Sequence, residues 1–185
     1  ERNLRRTGLL VRIARDAPSR RMSGTPPVKK KLTDPVLIVG DSLTDSDLRY
    51  ATRFSVGDPV LFLSVKKQRY LVVPRMEYGR ACRTTRGIKI LTPDDLKLDP
   101  QDRYRIGAWA VKLLRRVQVR RVRVAPRFPL GVARELEKKG FRLKVADNGL
   151  FPGRAVKQPD ELRFLRSAKT AAVAAMKTAF KILRA

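Results

Sequence analysis

The sequence of 185 residues contains no histidine and a single cysteine, Cys82. Histidine is the commonest general base near neutral pH and the commonest metal ligand among side chains. Its absence excludes Ser-His and Cys-His nucleophile pairs and HExxH zinc sites. A lone cysteine cannot form an internal disulfide, and we expect Cys82 to be an inert, buried side chain in a cytoplasmic protein. No catalytic, cofactor-binding or metal-binding residue is predicted in this chain.

Long apolar runs, glycine-rich phosphate loops and aromatic residues are also missing or scarce. No stretch approaches about 18 consecutive apolar residues, so we predict no transmembrane helix and no membrane partner. Neither GxxxxGK[ST] nor GxGxxG occurs, which excludes the two common glycine-rich nucleotide sites. Aromatic residues make up 6% of the chain, and few lie near the basic segments, where they would stack nucleic-acid bases.

Acidic residues are few relative to basic ones. The chain has 43 Lys and Arg against 17 Asp and Glu, a net charge of +26. Residues 34–99 carry 11 basic and 9 acidic residues, whereas residues 100–185 carry 22 and 6. Such an excess attracts polyanions if it gathers on one face. The run RRVQVRRVRV (115–124) has two interpretations, a polyanion-binding face or a solvated surface; the second is favoured, since charge runs are usually solvated.

The first 33 residues are rich in arginine, then in Ser, Gly and Pro, and contain little apolar material. Residues 1–33 are therefore predicted to be a basic disordered tail. Three interpretations stay open. The segment is a solvated tail or an upstream extension with Met22 as the true start, an organelle-targeting helix built on residues 9–13, or an arm that binds nucleic acid.

From Asp34 onward, short apolar runs alternate with amphipathic segments. Strands are predicted in PVLIVG, DPVLFLSV, QRYLVVP, GIKILTP, RRVRVAP and FRLKVAD, the second and third forming an antiparallel hairpin. Helices are predicted in MEYGRACRTT, DRYRIGAWAVKLLRRV and PLGVARELEKKG, and a short helix or turn is predicted in DSLTDSDLRYATRF. This order predicts an α/β domain with a mixed sheet at residues 34–148, because helices between strands cover the faces of a sheet.

The patterns of the third helix and the last strand predict where individual side chains lie. Trp109 and Tyr104 share a face of the third predicted helix, and we expect both in the core. Phe141, Leu143 and Val145 alternate along the last strand and should lie on one side of it.

Three aspartates, Asp41, Asp45 and Asp47, follow the first predicted strand. Carboxylates are the ligand type that Mg²⁺ and Ca²⁺ prefer, yet these three lack the spacing and the glycine of an EF-hand loop. Capping and turn formation is the favoured interpretation.

The end of the chain predicts a linker followed by a long helix. Asn-Gly and Pro-Gly pairs indicate a linker at residues 149–158. Pro159 suits the first helical position, and Asp160 and Glu161 favour the positive end of the helix dipole. Apolar residues then recur at three- and four-residue steps: Leu162, Leu165, Ala168, Ala172, Ala175, Met176, Ala179, Ile182 and Leu183. A stripe of this length and so rich in small residues predicts that the helix at 159–185 needs a partner surface beyond the preceding domain. No Gly, Asn or Pro ends it, so we expect the helix to be cut rather than terminated.

The order of elements and the segment RAVKQPDELRFLRSA (154–168) resemble the N-terminal domain of the creatinase/aminopeptidase P family of Xaa-Pro peptidases. Family members show an arginine and a hydrophobic-Lys-Ser/Thr-Pro-Glu-Glu-hydrophobic segment that opens the first helix of the catalytic domain. The matching positions here are Arg154, Val156, Lys157, Pro159, Asp160, Glu161, Leu162, Arg166 and Ala168.

A second segment, DLRYATRF (47–54), is similar to the family's Tyr-Leu-Thr-Gly-Phe segment after the first strand. Ala51 and Arg53 stand where the family often has Leu and Gly, and Gln158 replaces the usual Ser/Thr helix cap. These departures concern a local turn and the start of the long helix.

The resemblance implies a mixed-sheet, creatinase N-terminal-like (ribonuclease H-like) domain followed by the first helix of a truncated pita-bread domain. It implies a parent Xaa-Pro metallopeptidase of aminopeptidase P or prolidase type. The parent's catalytic domain would bind two divalent metal ions, such as Mn or Co, through two Asp, one His and two Glu. None of these ligands can be assigned to a residue here, so this segment alone is expected to be inactive.

The resemblance also implies the role and the partners of this segment. It would support oligomerisation and active-site access, and its partners would be the catalytic domain of the same chain and further copies of the chain. The alternative is a non-enzymatic relative of the pita-bread proteins that binds nucleic acid or a ribosome through its basic surface. The supporting role in a metallopeptidase is the leading hypothesis, since a run of charged residues is usually a solvated surface.

Overall fold

The structure, a computed structural model, describes residues 34–147 and 149–184. Its centre is a six-stranded sheet with the order β4-β3-β2-β1-β5-β6. The strands are Val36–Gly40 (β1), Val60–Val65 (β2), Gln68–Val72 (β3), Lys89–Leu91 (β4), Arg121–Val124 (β5) and Arg142–Val145 (β6). Strand β2 runs antiparallel to β1 and β3, and the other neighbouring strands pair in parallel. The predicted mixed sheet is confirmed, whereas the interpretations of the tail at 1–33 concern residues outside the described ones.

Five α-helices accompany the sheet in the described part of the chain. They are Ser46–Thr52 (α1), Arg75–Thr84 (α2), Ile106–Arg116 (α3), Leu130–Lys138 (α4) and Pro159–Leu183 (α5). Three short 3-10 turns lie at Asp94–Leu96, Pro100–Asp102 and Pro152–Ala155. Helices α1, α3, α4 and α5 fall within their predicted segments, and α2 begins one residue before its own, at Arg75. None of the described helices combines the length and the apolar character needed to cross a bilayer.

Strand β1 lies inside the sheet and is covered on both faces. Its residues Val36, Leu37, Ile38 and Val39 are all buried. Leu37 and Val39 join the core cluster beneath α3 and α4, while Val36 and Ile38 join the cluster on the side of α1 and α2. Burial on both faces explains why this strand is an unbroken apolar run rather than an alternating one.

The predicted hairpin joins β2 to β3 through a two-residue turn. The register pairs Val65 with Gln68, so Lys66 and Lys67 form the tip. Lys66 adopts φ 53, a left-handed conformation that glycine usually supplies in tight turns. The polar tip that the sequence predicts is therefore confirmed.

The prediction that Tyr104 lies in the core is wrong. Helix α3 begins at Ile106, and Tyr104 lies before it with 89% of its surface exposed. The 3-10 turn at Pro100–Asp102 occupies the preceding residues, so the helical spacing does not extend back to the tyrosine. Trp109 is buried as predicted, and its Nε1 donates a hydrogen bond to the carbonyl oxygen of Arg103 at 2.9 Å.

Two further side chains are exposed against expectation. Cys82 is exposed, because it lies on the outer side of α2, next to the buried Ala81. Val145 shares a side of β6 with Phe141 and Leu143 but is 51% exposed. Strand β6 is an edge strand. Phe141 and Leu143 pack on the core cluster beneath α3 and α4, whereas Val145, the last residue of the strand, lies outside that cluster.

Candidate functional site

The described residues offer little chemistry for catalysis. Among residues 34–147 and 149–184, no group of three or more Cys, Asp and Glu side chains is placed to hold a metal ion. The chain has no histidine, so the two-Asp, one-His, two-Glu ligand set that the resemblance implies does not fit the residues present. No catalytic step is assigned to these residues.

The first two aspartates of the acidic cluster organise the turn after β1 and the start of α1. Asp41 accepts hydrogen bonds from the backbone N–H of Leu43 at 2.9 Å and of Thr44 at 2.8 Å, and from the Thr44 hydroxyl at 2.7 Å. These bonds, the Thr44 hydroxyl first, lower the pKa of Asp41 below its ordinary value. Asp45 accepts from two backbone N–H groups in the first turn of α1, both at 2.9 Å. The capping interpretation is confirmed for both residues.

The third aspartate, Asp47, connects α1 to the segment that follows the sheet. Its carboxylate forms an ion pair with the Arg154 guanidinium and accepts a hydrogen bond from the backbone N–H of Leu150 at 3.5 Å. The Asp47 side chain is only 16% exposed. The structure therefore brings together the two sequence segments on which the predicted resemblance depends.

A second connection uses Arg53, at the position where the family often has glycine. Arg53 ends α1 with φ 55 and ψ 14, which is the left-handed region where glycine has the least steric cost. Its guanidinium lies 3.1 Å from the Glu161 carboxylate and 3.8 Å from that of Asp160. It also stacks over the Tyr50 ring, 5.7 Å from the centroid. A glycine would fit the turn better but could not hold the first turn of α5.

The predicted linker begins with two apolar residues that pack on the sheet. Leu150 is fully buried. The Phe151 ring lies 5.9 Å from the Tyr50 ring and 6.5 Å from the Phe62 ring, measured between centroids. The sequence analysis missed this anchor, because the Leu-Phe pair lies among glycines and prolines that indicate a loop.

The start of α5 is capped from within the helix. Gln158 lacks the hydroxyl of the usual cap, but its backbone N–H donates to the Glu161 carboxylate at 2.8 Å. Its carbonyl oxygen accepts the first helical hydrogen bond, from the backbone N–H of Leu162, at 3.0 Å. Glu161 thus satisfies the N–H group at the helix start and also pairs with Arg53, which fixes the direction in which α5 leaves the domain.

We define the docking junction as the side chains of Asp47, Tyr50, Arg53, Phe151, Arg154 and Glu161. A cleft of about 560 Å³ lies beside it, with Arg69, Arg86 and Gln158 among its lining residues. The cleft presents arginines and aromatic rings, and the groups of the junction hold elements together rather than perform a reaction.

A second cleft, of about 590 Å³, lies at the edge of the sheet where β3 and β4 end. Trp109 and the exposed Tyr104 line it. Its two arginines, Arg75 and Arg103, both pair with Asp94. The positive charge of this cleft is therefore already compensated, and its groups form no acid–base pair suited to catalysis.

Helix α5 leaves the docking junction with its apolar stripe uncovered. None of its 25 residues is buried, and at about 1.5 Å per residue the helix is about 38 Å long. Its large apolar side chains are between 40% and 81% exposed: Leu162, Phe164, Leu165, Val173, Met176, Phe180, Ile182 and Leu183. Val173 and Phe180 flank the predicted stripe and widen it, a contribution that the sequence analysis missed.

Comparison with known proteins reveals no match to a family model or to a curated protein sequence. Solved structures do match. The Xaa-Pro dipeptidase from Bacillus anthracis has a TM-score of 0.66 and 15% identity, over 80% of this chain and 39% of that one. The prolidase from Pyrococcus horikoshii OT3 has a TM-score of 0.58 and 21% identity, over 78% of this chain and 38% of that one.

The X-Pro aminopeptidase from Thermotoga maritima MSB8 has a TM-score of 0.58 and 15% identity, over 71% of this chain and 36% of that one. In each case this chain spans about two fifths of the similar structure. At these identities the likeness establishes the fold. The resemblance that the sequence predicts is therefore confirmed in three dimensions: the chain has the fold of the N-terminal part of the creatinase/aminopeptidase P family of Xaa-Pro peptidases.

Proposed function

We propose that this chain is the non-catalytic N-terminal part of a Xaa-Pro metallopeptidase of the aminopeptidase P or prolidase type. The catalytic domain would supply both metal ions and their ligands, and the chemistry of the metal-bound water would belong to that domain. The part described here would position that domain and narrow the approach to its active site.

One observation carries this proposal, namely the uncovered apolar stripe of α5. An exposed apolar patch of this length marks an interaction surface in a folded protein. The stripe includes Ala168, Ala172 and Ala179, whose small side chains allow the backbone of a partner to approach closely. A catalytic domain packed against α5 would cover this surface, and the solved structures similar to this chain are about twice its length.

The docking junction supports the same role. Arg53 and Arg154 hold the helix start and the preceding turn against α1 through ion pairs, and Phe151 packs between two aromatic rings. Such a junction gives α5 a fixed direction. A rigid exit is what a supporting domain needs if it is to hold an active site at a constant distance.

The gene sequence beyond Ala185 tests the proposal. We expect it to continue into a domain that supplies Asp, Asp, His, Glu and Glu in that order. A continuation without those five ligands would contradict the assignment to a metallopeptidase and would favour the non-enzymatic alternative.

An activity assay tests the division of roles. The chain of residues 1–185 should release no proline from Xaa-Pro dipeptides, with or without added Mn²⁺ or Co²⁺. The protein that includes the downstream domain should release proline with metal present and serves as the positive control. Turnover by the short chain would show that catalysis does not require the downstream domain.

The proposal extends to assembly and location. We expect the complete protein to form a homo-oligomer in the cytoplasm, the first because the family resemblance implies that this domain supports oligomerisation and the second because a lone, exposed cysteine suits a reducing compartment. Sedimentation velocity and cell fractionation are the corresponding measurements. A monomer at micromolar concentration would contradict the oligomer.

A further inference from the structure

The two strands at one edge of the sheet, β5 and β6, bring four basic side chains together. They pair in parallel, with Arg121 beside Arg142 and Arg123 beside Lys144. Neighbouring strands lie about 4.8 Å apart, and alternate residues on one strand about 6.6 Å apart. Because side chains alternate between faces, these four share one face, while Val122 on the other face is buried beneath α3 and α4. We call the four residues the basic quartet.

The positive charge of the basic quartet is uncompensated within the described part of the chain. Arg121, Arg142 and Lys144 are exposed, and Arg123 donates one hydrogen bond, to the carbonyl oxygen of Gly149 at 3.4 Å. Among the described residues, no carboxylate forms an ion pair with a quartet side chain. Like charges directly opposite on neighbouring strands destabilise a sheet, so this arrangement is costly unless an anion binds to it.

The chain segment that carries the basic quartet is itself strongly basic. Residues 112–147 contain 12 Lys and Arg against 3 Asp and Glu. One of those acids, Glu135, is already paired with Arg105. The ion pairs that the structure does describe use arginines from other parts of the chain: Arg53, Arg75, Arg80, Arg103, Arg105 and Arg154. These ion pairs therefore leave the basic quartet as a group of four like charges on one face of β5 and β6.

We propose that the basic quartet binds the phosphate backbone of a double-stranded nucleic acid. A duplex carries one negative charge per about 1.7 Å of its axis. Phosphates spaced this closely can contact the basic side chains of β5 and of β6 at the same time. A second copy of this chain, with a net charge of +26, would be repelled. Strands β5 and β6 contain no aromatic residue, so the contact is with phosphates rather than stacked bases, and we expect little sequence preference. This proposal does not depend on the assignment to a peptidase.

The test uses the full chain and fluorescence anisotropy of 20-base-pair DNA and RNA duplexes of unrelated sequence. The quartet variant combines Arg142→Gln with Lys144→Gln on the edge strand. The control variant removes the same charge at the hairpin tip, through Lys66→Gln and Lys67→Gln. Affinities are measured from about 50 to 200 mM salt, the range over which phosphate contacts weaken steeply.

We expect the quartet variant to bind at least about tenfold more weakly and to lower the salt slope by about 2, one unit for each phosphate contact removed. The control variant should change affinity less than about threefold, since attraction to net charge alone is diffuse. The quartet variant should melt no lower than the wild type, because it removes like-charge pairs. The relative affinities for the two duplexes then identify which nucleic acid is preferred.

Three results would overturn the proposal. The first is the absence of binding to either duplex at 50 mM salt. The second is an equal loss of affinity in the quartet and control variants, which would indicate attraction to net charge without a site. The third is tighter binding of an acidic peptide, polyglutamate, with the same dependence on the quartet, which would assign the surface to a protein partner.

Discussion

Helices α3 and α5 have similar amphipathic patterns, but α3 is largely buried and α5 is exposed. Of the 11 residues in α3, seven are buried, whereas α5 buries none of its 25. Both sequences repeat apolar residues every three or four positions. The comparison shows that periodicity identifies the apolar side of a helix and that only the neighbouring elements decide whether that side is covered.

The two helices are held by different forces. Helix α3 packs on the sheet through Trp109, Leu113 and Leu114, and each such burial stabilises the fold by about 1.5–3 kcal/mol. Helix α5 is attached at its first turn, where Arg53 pairs with Glu161. Partly exposed ion pairs of this kind contribute about 0.2–1 kcal/mol. The attachment of α5 therefore fixes its direction and adds little to stability.

The largest expected difference comes from truncating one leucine in each helix. Leu113→Ala removes a fully buried side chain of α3 and should lower the free energy of unfolding by about 2–5 kcal/mol. Leu165→Ala, at a side chain 54% exposed in α5, should change it by less than about 0.5 kcal/mol. Urea denaturation followed by circular dichroism measures both. A large loss with Leu165→Ala would show that α5 is covered in solution.

The next effect concerns Arg53, whose backbone adopts a left-handed conformation and whose side chain contacts the first turn of α5. Arg53→Gly should be more stable than Arg53→Ala by about 1 kcal/mol, because alanine at φ 55 keeps the steric cost that glycine lacks. Both variants lose the ion pairs with Asp160 and Glu161, so the difference isolates the backbone. Thermal denaturation gives the comparison.

A matched control lies one turn earlier in α1. Arg49 is exposed and helical, so the order should reverse there, with Arg49→Ala more stable than Arg49→Gly by about 0.5–1 kcal/mol. If alanine were better than glycine at both positions, the left-handed conformation of Arg53 would be wrong.

A smaller effect tests the other contact of the docking junction. A double-mutant cycle with Asp47→Asn and Arg154→Gln should give a coupling energy of about 0.2–1 kcal/mol that weakens with added salt. We expect the upper part of this range, since Asp47 is only 16% exposed. A coupling energy indistinguishable from zero would mean that hydrophobic packing of Phe151 alone orients the segment before α5.

The sequence predicted the elements of this fold well and its contacts less well. Strand β1 and the hairpin are apolar runs bounded by turn residues, a local signal that needs no tertiary information. Tyr104 and Cys82 were misplaced because burial depends on where a helix begins and which side of it meets the sheet. The ion pair of Asp47 with Arg154 joins residues 107 positions apart, and no local pattern predicts such a contact.

The basic quartet shows a similar limit. The sequence shows that RRVQVRRVRV is basic, but only the register of β5 with β6 places Arg121 beside Arg142. The favoured interpretation of this run as an ordinary solvated surface took account of one strand at a time. Two individually unremarkable strands produce an unusual surface when they pair.

The smallest effect we predict is a dependence of stability on pH at the end of α3. The last turn of α3 is tied to the 3-10 turn at Asp94–Leu96, where Arg116 donates to the carbonyl oxygen of Asp95 at 3.1 Å. Hydrogen bonds from the backbone and hydroxyl of Thr92, with a smaller contribution from Arg116, lower the pKa of Asp95.

A carboxyl with a lowered pKa in the folded state stabilises that state above its unfolded pKa, near 3.9, and loses this contribution as the pH falls through the folded value. Asp95→Asn keeps an acceptor oxygen and removes the charge, so wild type and variant should differ most at pH 6 and converge as the pH falls below the folded pKa of Asp95. Urea denaturation at several pH values measures the gap, and a gap that stays constant with pH would show that the Asp95 charge does not contribute to holding the end of α3.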